Sequence, residues 1–388
     1  MSKTKILFAA YGGGHMKSLI PIIKVLSEDT RYNVITLALT TGILDCIQNK
    51  LTYITYQNFI EGNRLAIRYG KVLTNHIKND LLPHGESIAY MGLSYLDLVT
   101  RIGKKNAKAQ YIKAGRHAFL QYTVAEKILN EIQPDILVST SSPKTERALL
   151  ELASRRKIKT ISLLDLFGLG CVWYNEYYCD KICVISKKSK DEFSKHHRIS
   201  KDKIVVTGNT NFDQKILKTT KHHIQTILFA TQPILETCAF TGKKQDVNIS
   251  SKVYEYLCKT LKQLKNYKLK VRFHPNEVPF ELSDDEHLDY NNNLDDTLKE
   301  TNILITYHSS VTLQAWLAGI KVINLNILPS SYLTPYSKYG YSYGINNLKD
   351  LNAMIHKVGL NDKKIDIHNE LKIPNNPVER IINVIKNI

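Results

Sequence analysis

The sequence predicts an α/β fold made of two doubly wound parallel sheets with a cleft between them. Short runs rich in Ile and Val alternate with segments of helical periodicity, as in sheets whose strands are joined by crossover helices. This series occurs twice, before and after a polar stretch at 213–225. The length of 388 residues is sufficient for two domains with separate cores.

The first series contains six predicted strands and four main helices. The strands are expected at 5–10, 33–39, 135–140, 158–164, 181–185 and 203–207. The helices are expected at 16–28, 123–132, 145–156 and 187–195. A long basic segment at about 53–119 interrupts the series, and its patterning predicts a helical insertion, because structureless loops of this length are uncommon in compact domains.

The second series has four predicted strands and ends with a separate helix. The strands are expected at 226–230, 268–273, 302–306 and 321–325, and the helices at 249–264, 311–318 and 348–357. Asn376, Pro377 and Glu379 form a helix start, with Asn376 as N-cap and Pro377 at the first position. The predicted organisation is therefore a first domain at 1–215, a second at 222–372 and a closing helix at 376–388.

Composition restricts the class of protein and points to an anionic partner. A hydrophobic content of 43% excludes a disordered chain, and no apolar run approaches the ~20 residues that span a bilayer. The apolar run at 6–10 is too short for a secretory signal, and the six scattered cysteines predict free thiols in a reducing cytoplasm. The net charge of +17 is compatible with nucleic acid, lipid headgroups or phosphorylated substrates.

A glycine-rich loop follows the first predicted strand. Gly12, Gly13 and Gly14 allow a sharp turn and close approach of a ligand, and His15 opens the next helix. The dinucleotide-binding pattern G-x-G-x-x-G is absent. We therefore expect a ligand site at the carboxyl end of this strand, with a plain tight turn as the alternative.

Two further motifs end strands of the second series. His274-Pro275 places an imidazole in extended backbone at the edge of the sheet, although a lone His is more often structural. His308, Ser309 and Ser310 lie between a strand and a helix, where hydroxyl and N–H groups bind phosphate or simply cap the helix. The two motifs at one sheet edge are more specific together than either is alone.

Other charged segments carry weaker signals. The acidic run at 284–289 would suit a metal, but its turn character favours a solvated loop, and no metal site is predicted. The basic runs at 104–113 and 187–198 lack regular aromatic interleaving, so a solvated or membrane-facing helix surface is favoured over nucleic-acid binding.

Four segments together resemble the GT-B glycosyltransferases, a superfamily that also contains the UDP-GlcNAc 2-epimerases. The loop at 12–15 resembles that of the lipid II GlcNAc transferase, and 203–213 resembles the segment that closes the first domain of the epimerases. His274-Pro275 and 308–310 resemble the His-Pro and Ser-Ser motifs of bacterial surface-polysaccharide transferases. In GT-B proteins the final helix crosses back to the first domain, which fits 376–388.

The resemblance implies a metal-independent, inverting transfer from a CMP- or UDP-linked sugar to a cell-surface glycan or lipid-linked acceptor, without a cofactor. The residues expected at the donor phosphates or nucleotide are Thr231, Gln232, His274, Pro275, His308, Ser309 and Ser310. The epimerase signature Thr-x-His-Arg-x-Glu-Asn is replaced here by 230–233, Ala-Thr-Gln-Pro, which favours transfer over epimerisation.

A transferase of this kind needs a base for the acceptor hydroxyl. The candidates are His15, Glu86, Asp97 and Asp165. Glu86 and Asp97 lie in a Tyr- and Ser-rich segment that suits sugar hydroxyls, with a partly buried amphipathic helix as an equal alternative. Asp165 follows a strand, where helix capping is the alternative role. Arg116 is expected to pair with a phosphate or carboxylate, and the glycine loop is assigned to acceptor or sugar binding.

The leading hypothesis is thus a cytoplasmic glycosyltransferase, either free or peripheral at the inner face of the cytoplasmic membrane. Its expected partners are a nucleotide sugar, a glycan or lipid-linked acceptor and an anionic membrane surface, without nucleic acid. A nucleotide-sugar 2-epimerase or hydrolase of the same fold is the alternative. A DNA-binding or DNA-glycosylating protein is the third hypothesis, and steep weakening of duplex binding by salt would distinguish it.

Overall fold

The computed structural model describes residues 3–75, 82–83, 85–164, 167–212, 224–238, 241–264, 266–274, 277–291, 293–360 and 373–388. The chain divides into two compact units, one formed by 1–213 with 374–388 and the other by 214–373. Each unit has its own parallel sheet. Among the described residues, no helix is both long and apolar enough to cross a membrane.

The sheet of the first unit contains the six strands that the sequence predicts. They are β1 (Thr4–Tyr11), β2 (Tyr32–Leu39), β3 (Ile136–Ser139), β4 (Lys159–Leu163), β5 (Lys181–Val184) and β6 (Ile204–Val206). All pairings are parallel, in the order β2-β1-β3-β4-β5-β6. Both faces of the sheet are covered, so the strands are continuous apolar runs rather than alternating ones.

Helices cover this sheet and fill the segment between β2 and β3. They are α1 (Gly14–Glu28), α2 (Gly42–Gln48), α3 (Gln57–Ile60), α4 (Arg64–Thr74), α5 (Glu86–Ile102), α6 (Lys104–Ala114), α7 (Tyr122–Ile132), α8 (Thr145–Arg155) and α9 (Lys187–His197). Two glycines allow α4 and α5 to pack closely. A Cβ at Gly70 would lie 2.1 Å from the Ile88 carbonyl oxygen, and one at Gly92 would lie 2.1 Å from that of Ala66.

The sheet of the second unit has five parallel strands in the order β11-β10-β9-β7-β8. They are β7 (Gln225–Ala230), β8 (Tyr267–Arg272), β9 (Ile303–Thr306), β10 (Lys321–Leu325) and β11 (Tyr343–Ile345). Its helices are α10 (Ile249–Leu261), α11 (Leu294–Lys299), α12 (Val311–Leu317) and α13 (Leu351–Gly359). The sequence predicts all of these except β11 and α11.

The closing helix, α14 (Pro377–Lys386), buries Ile381, Ile382 and Ile385 in the core beside α1 of the first unit. Asn376 occupies the N-cap position as predicted, but it is left-handed, with φ 57°, and its side chain makes no capping bond. A Cβ at Gly208 would lie 3.1 Å from the Pro374 carbonyl oxygen. The chain therefore leaves and re-enters the first unit at neighbouring points.

Both sheets reverse their winding direction at a comparable place. In each, the first strand of the unit lies between the second and the third, so the reversal falls between β1 and β3 in one sheet and between β7 and β9 in the other. The loops that follow two such strands diverge to opposite faces, which opens a crevice at the carboxyl edge. Each unit therefore has one position where a ligand site is expected.

Candidate active site

The glycine loop occupies the switch point of the first sheet, directly after β1. A Cβ at Gly12 would lie 2.1 Å from Thr41 Oγ1 and 2.5 Å from the Thr41 carbonyl carbon, so no larger residue fits without displacement. Gly13 is left-handed, with φ 71°. Its N–H donates to the Asp45 carboxylate, whose pKa is raised by burial and lowered less by Lys17 and by this bond. The loop is thus held by the β2–α2 connection.

His15 lies at the start of α1 and contacts residues that follow β3. Its Nδ1 is 2.5 Å from Thr140 Oγ1, and the Thr140 hydroxyl lies 2.5 Å from Glu146 Oε2. The His15 side chain is 26% exposed, whereas that of Glu146 is fully buried. The three residues connect the two strands that flank the switch point.

The Glu146 carboxylate is fixed by donors from both strand ends. Its Oε1 accepts from the Tyr11 N–H at 2.8 Å, and its Oε2 accepts from the Ser142 N–H at 2.9 Å and from the Thr140 hydroxyl. The single Thr140 hydroxyl proton is used in that bond, so toward His15 the oxygen can only accept. Nδ1 of neutral His15 therefore carries the proton, and Nε2 presents a lone pair.

Buried tyrosines lie beside this group. Tyr11 Oη is 3.0 Å from Tyr90 Oη and 2.8 Å from Thr145 Oγ1, which is 2.7 Å from Tyr56 Oη. Burial raises the pKa of Tyr11 and that of Tyr56 well above the ordinary range. All three phenols are therefore neutral and act as hydrogen-bonding groups.

Cations surround the same edge of the sheet. Lys144 Nζ lies 5.9 Å from the centre of the Tyr11 ring. Burial, and to a smaller extent Arg116, lowers the pKa of Lys144. The pKa of His117 is lowered by burial first, then by Lys144 and by Arg116. Among the described residues neither Lys144 nor Arg116 forms a salt bridge, so no carboxylate there offsets their positive charge.

Glu86 and Asp97 have different positions on α5. Glu86 lines a very small cavity of about 10 Å³ with Tyr56 and Tyr90. It accepts a hydrogen bond from the Thr55 hydroxyl, and burial raises its pKa. Asp97 is buried, with one oxygen accepting from the Thr123 N–H at 2.6 Å and the other from Arg101 Nε at 2.8 Å. The bond to Thr123 joins α7 to α5, and the role of Asp97 as a base stays a prediction.

The switch point of the second sheet brings together Gln232, after β7, and His308, after β9. Gln232 Nε2 lies 3.2 Å from His308 Nε2. An amide nitrogen can only donate, so His308 Nε2 accepts and its Nδ1 carries the proton. Burial lowers the pKa of His308. His308 therefore contributes a neutral N–H donor rather than a positive charge. The Nδ1 atom that carries this proton has no hydrogen-bond partner among the described residues.

Glu277 joins the ends of β7 and β8. Its Oε1 accepts from the Thr231 hydroxyl and from the His274 N–H, the latter at 3.0 Å. The neighbouring Arg272 instead forms a salt bridge with Asp289 at 2.5 Å. The carboxylate thus fixes the backbone that carries His274 at this edge.

The two serines that follow β9 differ in their environment. Ser309 Oγ accepts weakly from the Val311 N–H at 3.4 Å, while Ser310 is exposed and its hydroxyl has no partner within the described part of the chain. Asn324 at the end of β10 donates to the Tyr307 carbonyl oxygen and to Thr312 Oγ1. The turn that presents the serines is thereby held in place from a neighbouring strand.

The predicted site residues fall into two groups, one in each unit. The first unit brings together the glycine loop with His15 and, beside the tyrosines, Glu86 and Arg116. The second brings together Thr231, Gln232, His274, His308, Ser309 and Ser310 at one sheet edge. Asp165 and Pro275 lie outside the described residues. Sequence reasoning missed Thr140, Glu146, Lys144 and Glu277, although the polar run at 139–142 follows a strand and satisfies the same rule as the other motifs.

Two doubly wound parallel sheets, each with polar residues at its switch point, define the class of the protein as two-unit α/β. No protein-family model matches the chain, and no curated protein matches it in sequence.

Solved structures show which fold this is. CalG4, the calicheamicin glycosyltransferase, is 11% identical over 100% of this chain and 98% of its own, with a TM-score of 0.60. The UDP-GlcNAc 2-epimerase of Methanocaldococcus jannaschii in complex with UDP-GlcNAc and UDP is 14% identical over 99% of this chain and 100% of its own, with a TM-score of 0.58. The chain has the fold that GT-B glycosyltransferases and UDP-GlcNAc 2-epimerases share, which confirms the predicted fold class and resemblance.

Proposed function

We propose that the chain is a glycosyltransferase that moves a sugar from a nucleotide donor to an acceptor hydroxyl, with His15 as general base. The observation that carries this proposal is the connection from His15 through Thr140 to Glu146 at the first switch point. It fixes the imidazole in the tautomer that can accept a proton through Nε2. A partly exposed histidine held in this way is suited to deprotonate a bound hydroxyl.

The proposed reaction is a single displacement. The acceptor oxygen forms a bond to the anomeric carbon while its proton passes to His15 Nε2. The bond from that carbon to the nucleotide phosphate breaks, and the phosphate leaves with the electron pair. Direct displacement inverts the anomeric configuration. The residues in the second unit that we assign to the leaving nucleotide are Thr231, Gln232, His274, His308, Ser309 and Ser310.

The cations beside Tyr11 support an acceptor that carries a negative charge. Lys144 and Arg116 interact with each other and with His117, and no carboxylate of the described chain neutralises them. A phosphate or carboxylate on the acceptor would remove this repulsion.

The donor is tested first by thermal shift with CMP, UDP, GDP and their sugars, because a ligand that binds only the folded state raises the melting temperature. We expect one nucleotide to stabilise the protein selectively. His274→Ala and Ser309→Ala should reduce that shift and abolish turnover without changing the unliganded melting temperature. Full activity of His274→Ala would refute its assignment to the donor site.

The base is tested with His15→Ala, compared with His356→Ala, an exposed histidine of α13 in the second unit. We expect His15→Ala to lower transfer by about 10²–10⁴-fold. It should leave the thermal shift by nucleotide unchanged, because His15 is assigned to the acceptor. Unchanged transfer would exclude His15 as the base.

An epimerase is the second candidate, because solved structures with this fold include UDP-GlcNAc 2-epimerases. Incubation of UDP-GlcNAc without acceptor separates the two reactions. Accumulation of an epimer or of stoichiometric free sugar would favour the epimerase or hydrolase. Consumption of donor only when an acceptor is present would favour the transferase.

A further inference from the structure

A surface groove lies between α4 and α6, within the helical insertion of the first unit. Its volume is about 520 Å³. The residues that line it are Leu65, Arg68, Tyr69, Val72, Leu73, Tyr95, Lys104, Lys108, Tyr111 and Ile112. They recur at helical spacing along both helices, so one face of each helix borders the groove.

Large aliphatic side chains are exposed along this groove. Leu65 is 47% exposed, Val72 68% and Ile112 74%. Their exposure follows from the packing of the two helices. α4 contacts α5 through its glycine-bearing face, and α6 buries only Ala107. The remaining apolar surface is unpaired within the described chain, and clustered exposed apolar residues indicate an interaction surface.

The two helices carry positive charge only. Their sequences, Arg64–Thr74 and Lys104–Ala114, contain no Asp or Glu. Their cations are Arg64, Arg68, Lys71, Lys104, Lys105, Lys108 and Lys113. None of the seven forms a salt bridge with a described residue. Three of the seven, Arg68, Lys104 and Lys108, line the groove, so its surroundings favour an anionic partner.

Tyrosines form the inner part of the groove. The rings of Tyr69 and Tyr95 are 5.0 Å apart, and those of Tyr95 and Tyr111 are 5.5 Å apart, both edge to face. A tyrosine combines an apolar ring with a polar hydroxyl, and this combination is enriched at the boundary between headgroups and acyl chains. Basic, aromatic and aliphatic side chains thus occur together on one face.

We propose that this face binds the surface of an anionic phospholipid bilayer, with the cations at the headgroups and Leu65, Val72 and Ile112 at the acyl boundary. This inference goes beyond the proposed transfer reaction and does not depend on it. Charge complementarity selects the lipid, because the cations meet anionic headgroups while the aliphatic side chains are removed from water. A nucleic acid would satisfy the cations but leave Val72 and Ile112 without apolar contacts.

The test is co-sedimentation of the full chain with vesicles of phosphatidylcholine alone or with about a third phosphatidylglycerol. One variant combines Arg68→Gln, Lys104→Gln and Lys108→Gln, and another combines Val72→Ser and Ile112→Ser. Each cation near such a surface contributes about a fivefold factor, so we expect about hundredfold weaker binding for the triple variant. The serine variant should also bind more weakly, and high salt should weaken wild-type binding.

Matched controls make similar substitutions at exposed positions away from the groove. For the triple variant, the control combines Lys259→Gln, Lys262→Gln and Lys349→Gln, which removes three exposed charges from the second unit. For the apolar variant, the control is Val172→Ser with Leu360→Ser, which are exposed elsewhere on the chain. Neither control should change vesicle binding, and thermal melts should show that all variants are folded.

Binding to anionic vesicles that both groove variants weaken supports the proposal. Equal binding to neutral vesicles overturns it, as does wild-type binding by either groove variant. A different outcome is that the protein binds random duplex DNA more tightly than anionic vesicles and that only the triple variant loses that binding. That result would assign the face to nucleic acid and would also overturn the proposal. The vesicle assay contains no nucleotide sugar and no acceptor. Its outcome therefore does not depend on whether the proposed transfer reaction occurs.

Discussion

Thr140→Val tests how His15 is held. Valine has a volume similar to that of threonine, but it removes the hydroxyl that joins His15 Nδ1 to Glu146 Oε2, each at 2.5 Å. One hydrogen bond is worth about 1 kcal/mol net, which corresponds to about a fivefold change in the ratio of the two imidazole tautomers. The buried Glu146 carboxylate also loses one of its donors, so the free energy of unfolding should fall by about 1–3 kcal/mol.

Two measurements follow this change. The ring ¹⁵N resonances of His15 distinguish the Nδ1–H tautomer from the Nε2–H tautomer without any substrate. We expect mainly Nδ1–H in the wild type and a larger Nε2–H fraction in Thr140→Val. Nucleotide release in the presence of acceptor should fall in proportion to the Nδ1–H fraction, and therefore by less than about fivefold, because only an unprotonated Nε2 accepts the proton.

Ser139→Ala is the matched control. Ser139 is the buried neighbour of Thr140, and its hydroxyl donates to the Ala9 carbonyl oxygen at 2.7 Å. Removal of this hydroxyl should lower the free energy of unfolding by about 1 kcal/mol and should leave the contact between Thr140 and His15 unchanged. If Thr140→Val showed the tautomer ratio and turnover of Ser139→Ala, Thr140 would not orient the histidine.

Three further predictions concern other parts of the first unit. Burial raises the pKa of Glu86 above its value in the unfolded chain. The folded state therefore loses stability as the pH rises from the unfolded pKa through the folded pKa. Glu86→Gln should have a higher melting temperature than the wild type at pH 7 but not at pH 4. Gly70→Ala should cost about 1–3 kcal/mol in urea unfolding by separating α4 from α5, whereas Gly14→Ala, whose Cβ has only an ordinary 3.6 Å contact, should cost much less. Lys144→Gln should raise the pKa of His117 in an NMR titration, since Lys144 contributes to lowering it.

Most of the fold can be predicted from the sequence because strands in parallel sheets covered on both faces are short apolar runs. The failures have local causes. β11 is three residues, Tyr343–Ile345, and lacks the Ile- and Val-rich pattern that marks the other strands. α11 is a polar six-residue helix that starts at an Asn293 cap, and such a segment resembles a solvated turn.

The site was predictable only as far as strand ends reveal it. His15 and His308 come shortly after β1 and β9, so their positions at the carboxyl edges of the two sheets could be inferred. Glu277 meets Thr231 across 46 positions, and no spacing rule connects them. Asp97 was a candidate because of its polar context, but its hydrogen bond with Thr123, 26 residues away, could not be inferred from the sequence.

The neighbouring exit and re-entry points of the first unit have a practical consequence. Gly208 contacts Pro374, and Thr210 and Asn211 donate to backbone carbonyls of α1, each at 2.6 Å. The second unit is thus inserted into the first at closely spaced ends, an arrangement in which excision is tolerated. A chain that joins Phe212 to Pro374 through a short glycine-serine linker should fold as an independent domain. Such a minimal domain would present the first unit alone to crystallisation and to ligand screening.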